Sequence, residues 1–210
     1  KDVVCLSYGR KDSFEARASK EIANKLGYKW LHKPVTIKSQ KYFFESETYR
    51  EYLTLFDSYA SVPAVQDVSE VYDIKINNLV DKSAVFVNGN SGDYITGGHV
   101  PANIQSLSNY NIESLLSEYF NKHYSLWECL KTPESENIII NGLYEVMSHR
   151  KIPSDMPSNY IHSIIESIEY VGRQTMYVVD QQNSYKFSGY DWRLPLWDSI
   201  FMDFWEGIPY

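Results

Sequence analysis

The chain has 210 residues, 43% hydrophobic and 22% charged, which is enough for one domain with a substantial core. A net charge of −7 with scattered Lys and Arg argues against nucleic acid, whose phosphates demand a basic face, and against an anionic membrane surface. No run approaches the ~20 apolar residues of a membrane span, no secretory leader is visible, and two cysteines, Cys5 and Cys129, build no disulfide or metal framework, so a cytoplasmic location is expected.

The sequence starts at Lys1 without a methionine, straight into the apolar run Val3 to Leu6, and stops at Tyr210 after an apolar stretch, so it reads as part of something longer. Val3 to Leu6 predicts a strand buried on both faces. Gly9-Arg10-Lys11 makes a turn, and Asp12 with Glu15 three residues on resembles a capping box opening a helix. Phe14, Ala18, Ile22 and Leu26 share one face of that helix, Gly27 stops it, and Tyr28 to Val35 forms a second strand. The result is a β-α-β unit of a parallel sheet.

Ser39 to about Ala60 has helical periodicity, broken by Pro63, and Ala64 to Val80 predicts another helix before a third strand at Ala84 to Val87. Beyond Pro101 the pattern is all-helical. Ile112, Leu115, Leu116, Tyr119 and Phe120 form one stripe, Thr132-Pro133 opens a further helix through Met147, and Ile161, Ile164, Ile165, Ile168 and Val171 form another stripe that can run to Val179. The 18 tyrosines and 5 tryptophans are read as packing rings. The organisation expected is an α/β nucleotide-binding portion over 1–100 and a helical portion of the same domain over 101–210.

Asn88 to His99 carries four glycines directly after a strand, where backbone must approach something closely. Three readings compete. Glycine-rich loops at the carboxyl ends of strands cradle phosphate, but neither the Walker nor the dinucleotide spacing is present. Ser91 could be a hydrolase nucleophile, but Asp93 stands where the elbow motif needs glycine. The plainest reading is a tight strand-to-helix turn.

Three segments in order resemble motifs of the asparagine synthetase family of ATP pyrophosphatases. Asn88-Gly89-Asn90-Ser91-Gly92-Asp93-Tyr94-Ile95-Thr96-Gly97-Gly98-His99 is similar to the family's Ser-Gly-Glu-Gly-x-Asp-Glu-x-x-Gly-Gly-Tyr. Asp191-Trp192-Arg193-Leu194-Pro195-Leu196-Trp197-Asp198 is similar to Glu-x-Arg-x-Pro-Phe-Leu-Asp. Ser7-Tyr8-Gly9-Arg10-Lys11-Asp12-Ser13 is similar to the Ser-Gly-Gly-x-Asp-Ser pyrophosphate loop, with one residue more.

The resemblance implies an α/β fold of the adenine nucleotide alpha hydrolase type, a parallel sheet with flanking helices followed by an all-helical C-terminal half. It implies ATP and Mg²⁺ as cofactors, and adenylation of a small-molecule or sugar-linked carboxylate before attack by an amine. Ammonia, or a glutaminase partner, would supply nitrogen. ATP-binding residues would be Leu6, Ser7, Gly9, Asp12, Ser13, Asn88 and Gly89. Asp12 and Asp93 would reach Mg²⁺ through pyrophosphate, Asp93 being the catalytic candidate. Both acids could equally serve as helix N-caps. Asp191, Arg193 and Asp198 would be structural, as an internal ion pair. Asp180 and Lys186 align only loosely with charged family positions, and His99 is expected to be a packed or surface histidine.

The chain departs from the family at Tyr8, at Asn90, which cannot act as a base, and at Tyr94. The family's lysine would fall after Tyr210, which implies ATP binding without the complete reaction. The wording from Asn90 to His99, with that from Trp192 to Asp198, is similar to a divergent subgroup of bacterial surface-polysaccharide (including lipopolysaccharide) biosynthesis. A non-catalytic binding or assembly module is the alternative.

Overall fold

The computed structural model describes residues 2–56, 65–101, 104, 111–153 and 161–208. It is a mixed α/β chain that divides into two compact units, one of residues 1–86 and 181–192, the other of 87–180 and 193–210.

In the first unit, β1 (Val4–Gly9) and β2 (Lys29–Pro34) pair in parallel from Val4 opposite Lys29 to Gly9 opposite Pro34. Between them runs α1 (Phe14–Leu26). Its N-cap is Ser13, whose Oγ accepts from the Ala16 amide at 3.1 Å, so the expected cap at Asp12 is displaced by one residue. Gly27 closes the helix at φ +72°, its amide and that of Tyr28 returning to Asn24 and Ala23 carbonyls.

The face of α1 differs from expectation. Phe14, Ile22 and Leu26 are 74%, 57% and 59% exposed, whereas Ala16 and Ala23 are buried. Two alanines seven residues apart give the helix a flat strip on which it can approach closely, whereas the bulky stripe lies on the opposite side.

The helical run expected from Ser39 is divided into α2 (Ile37–Phe44) and α3 (Glu47–Leu55), because the Ser46 hydroxyl accepts from the Tyr49 amide and starts a new helix. The expected continuation to Ala60, the break at Pro63 and the helix start at Ala64 lie outside the described residues. Next, α4 (Val68–Ile76) buries Val68, Val71 and Ile74 completely. Val71 packs with Tyr185 and Tyr190, from α9 (Asn183–Ser188) and the residues after it, while Tyr52 meets Phe187 at 5.4 Å between ring centres. The third strand, β3 (Val85–Val87), pairs with β4 (Asp191–Arg193), and neither joins β1 and β2. Among the described residues, β4 is the only strand of the C-terminal half.

The second unit holds α5 (Gly92–Ile95), α6 (Ile112–His123), α7 (Pro133–Arg150), α8 (Ile161–Glu169) and α10 (Ser199–Glu206). The predicted stripes are its core: Leu115, Leu116 and Tyr119 of α6 pack with Ile161, Ile164, Ile165 and Ile168 of α8 and with Met147 of α7. Thr132 caps α7 and Pro133 occupies its first turn, as expected. After α8 the helix widens into π-type turns over Tyr170–Val178. Such turns are rare and often lie at functional sites.

Candidate functional site

The first-unit residues gathered at the β1–α1 turn are Leu6, Ser7, Gly9, Asp12 and Ser13. Gly9 has φ +122°, a conformation that favours glycine, and no atom stands within 4 Å of where a Cβ would be. Asp12 is exposed, and its carbonyl accepts from Arg17. Ser13 Oγ is committed to capping. Ser7 Oγ receives the Trp30 indole N–H at 3.1 Å and lies 3.1 Å from His32 Nδ1. Leu6 lies on β1 opposite Leu31. Tyr8, at the position of a family glycine, donates its hydroxyl to buried Asp67, which also accepts from Tyr185 at 3.2 Å. Burial, and next the Asp67 charge, push the Tyr8 phenol far above its ordinary value, so Tyr8 remains a donor.

The second unit holds Asn88, Gly89 and Asp93. Asn88 Oδ1 accepts from the Asn90 amide at 3.0 Å, and Gly89 faces open space. What the loop approaches closely is its own chain. Gly98 donates to the Asp93 carbonyl at 2.8 Å, and a Cβ on Gly98 would stand 2.8 Å from that oxygen, so only glycine allows the return. The return brings His99 back beside Asp93. Asp93 does not cap α5; Ser91 holds the N-cap position, at φ +72° and without a side-chain cap bond. Ser91 Oγ is buried, donates to Gln174 Oε1 and accepts from Trp197 Nε1, both at 2.8 Å, which is a packing role.

His99 is the hub of this unit's polar interior. Its Nε2 lies 2.9 Å from Asp93 Oδ2 and its Nδ1 lies 2.7 Å from Glu169 Oε2. Two carboxylates can both be satisfied only by an imidazolium donating from both nitrogens. The hydrogen bond to Glu169 accordingly raises the His99 pKa first, burial opposes it, and Asp93 adds to the rise. Glu169 is fully buried, yet hydrogen bonds from His99 and Tyr119 (2.7 Å) and the nearby His123 outweigh that burial and hold it at about 2. Burial pushes His123 down to about 4. Asp93 has a side chain 70% exposed, and the His99 contact overcomes its partial desolvation to keep it below the ordinary carboxylate value. The π-type turns set Arg173 3.3 Å from both His99 ring nitrogens, and Gln174 3.2 Å from Nδ1.

Glu169, Tyr119, His123, Arg173 and Gln174 escape the motif reading. One signal was in the sequence: Glu169 follows Ile161 and Ile165 at i+8 and i+4, a charge on an apolar stripe, and a buried charge needs partners. In the C-terminal motif Asp191, Arg193 and Asp198 are all exposed. Asp198 caps α10, accepting from the Ile200 amide at 3.1 Å, and the Arg193 carbonyl accepts from the Asn88 amide. Asp180 opens a short 3₁₀ turn and Lys186 lies in α9.

Among the described residues, no three His, Cys, Asp or Glu side chains are grouped as a metal centre, and no helix is long and apolar enough to cross a membrane. The first unit thus presents a strand-turn-helix with an exposed acid, and the second presents an exposed carboxylate oriented by a histidine. Compared with protein-family models, curated proteins and solved structures, the chain matches none.

Proposed function

We propose that the chain is part of an ATP-dependent amide-forming ligase of the asparagine synthetase type, activating a carboxylate on a sugar or polysaccharide precursor by adenylation. The observation that carries the reading is the parallel β1–α1–β2 unit, with Gly9 at φ +122° and exposed Asp12 ahead of the α1 N-terminus. A helix opening after a strand favours an anion through its free amides and dipole. The acids fit a magnesium nucleotide, because Asp12 and Asp93 are exposed and Asp93 is held ionised. The open space at Gly9 fits it too. The serines fit less well, with Ser7 on Trp30 and His32 and Ser13 on its helix. Bound magnesium would neutralise crowded phosphate oxygens, and Asp12 and Asp93 are each a candidate to reach it through pyrophosphate. Asp93, steadied by His99, would hold its charge and direction throughout, which is how fixed electrostatics assist such a reaction.

The alternative, a non-catalytic module that keeps only the scaffold, is favoured by Tyr8, whose hydroxyl is fastened to Asp67 where the family has glycine. Tyr94 points the same way, being buried with its hydroxyl donating to the Glu166 carbonyl at 3.1 Å. Calorimetric titration with Mg·ATP separates the two. The ligase reading expects saturable binding that weakens about tenfold, or ~1.4 kcal/mol, in Asp12→Ala, and ATP–pyrophosphate exchange by the native polypeptide with a sugar acid. No binding heat, together with no effect of Asp12→Ala, would sink it and leave the module.

A further inference from the structure

Residues Tyr94 to Gly98 also form one wall of a cavity of about 1030 Å³ inside the second unit. The end of α7, α8 with its π-type continuation, and α10 supply the remaining walls. This is the size of a site for a small organic molecule. The lining is mixed, with Ile95, Ile152, Val171 and Met202 beside the hydroxyls of Thr96 and Ser163. The rings of Tyr170 and Trp205 offer flat surfaces.

Two groups in this lining lack the partners their chemistry calls for. Glu166 and Glu206 both face the cavity, and neither side chain has a hydrogen bond or ion pair among the described residues. Burial, and then the Glu206 charge, raise the Glu166 pKa, as expected for two acids without a cation. Among the described lining residues, exposed Arg150 is the only cation of certain charge, since burial keeps His162 below its ordinary pKa.

These unmet groups define what the cavity can accept. An anion would meet two carboxylates. A purely apolar molecule would leave the glutamates unpaired, which costs free energy. A bare metal ion would leave most of an apolar, ring-lined space unfilled. We infer that the cavity binds a small amino sugar or polyhydroxy amine, its ammonium on Glu166 and Glu206. The ring face then lies on Tyr170 and Trp205, whose π-electrons also favour a cation, and Thr96 and Ser163 meet further hydroxyls. Binding here does not depend on ATP, so the inference stands or falls apart from the proposed ligase activity.

Calorimetric titration of the chain without nucleotide, at a pH where the amine is protonated, tests this with D-glucosamine and its neutral counterpart D-glucose. Glucosamine is expected to bind at least about tenfold more tightly than glucose. Glu206→Gln, on an exposed residue, should reduce that preference several-fold, and Glu166→Gln with Glu206→Gln should abolish it. Trp205→Phe should weaken both sugars alike. Far-UV circular dichroism establishes that each variant is folded, and Glu206→Gln decides the matter if the double variant is not. No detectable glucosamine binding, equal affinity for the two sugars, or a preference that survives Glu206→Gln unchanged overturns the inference.

Discussion

At the scale of single residues, the second unit depends on one buried charge. Glu169 has no water to solvate it, so its charge is sustained by His99, Tyr119 and His123. The pH dependence follows from the direction of each shift. Glu169, at about 2 against an ordinary 4.5, stabilises the fold above pH 4.5, and that contribution is lost as pH falls from 4.5 towards 2. His99, raised above 6.5, contributes fully below pH 6.5 and loses its contribution as pH rises through its folded value. His123, lowered to about 4, acts oppositely, and its buried neutral ring costs stability as pH falls from 6.5 towards 4. His99→Leu leaves Glu169 without its principal partner and should cost about 3–5 kcal/mol where His99 is charged. Urea unfolding should show that cost larger at about pH 6 than at about pH 9, since the wild-type advantage requires the imidazolium. A cost equal at both values would mean that folding does not raise the His99 pKa.

At the scale of elements, α1 shows how a correct helix can be given the wrong face. Its amphipathic pattern points to Phe14, Ile22 and Leu26, yet close packing is carried by Ala16 and Ala23. Ile22→Glu should therefore change stability by no more than about 0.5 kcal/mol, as for other exposed positions. Ala23→Leu should cost about 1–3 kcal/mol by overpacking a fully buried site. Thermal or urea unfolding reads both, and a large loss in Ile22→Glu with none in Ala23→Leu would reverse the assignment. The break between α2 and α3 has an equally local cause, a single serine hydroxyl competing for the Tyr49 amide.

At the scale of the whole molecule, the two units differ in how they are held together. The first has a two-stranded parallel sheet and small clusters around α4 and α9, whereas the second has a continuous core from α6, α7 and α8. Two strands alone are marginal, and buried apolar contacts set local opening energies. Native-state hydrogen exchange should find the slowest amides around Leu115, Leu116, Ile164 and Ile165, and faster ones along β1. Amides of Cys5 and Leu6 as slow as those of Ile165 would contradict this ranking.

Where the cause is local, the sequence is legible. The β1–α1–β2 order, the stop at Gly27, the start at Thr132-Pro133 and the stripes of α6 and α8 all depend on residues a few positions apart, through hydrogen bonds and periodicity. The glycine segment is visible too, but its purpose is not. Only the folded chain shows Gly98 against the Asp93 carbonyl, and His99 between Asp93 and a glutamate 70 residues away. Likewise Ser91, a nucleophile or turn residue by pattern, becomes a packing group through Gln174 and Trp197. Periodicity and spacing determine which elements form. Tertiary structure decides which polar side chains meet inside them, because the desolvation that makes such a partner necessary exists only once the core has closed.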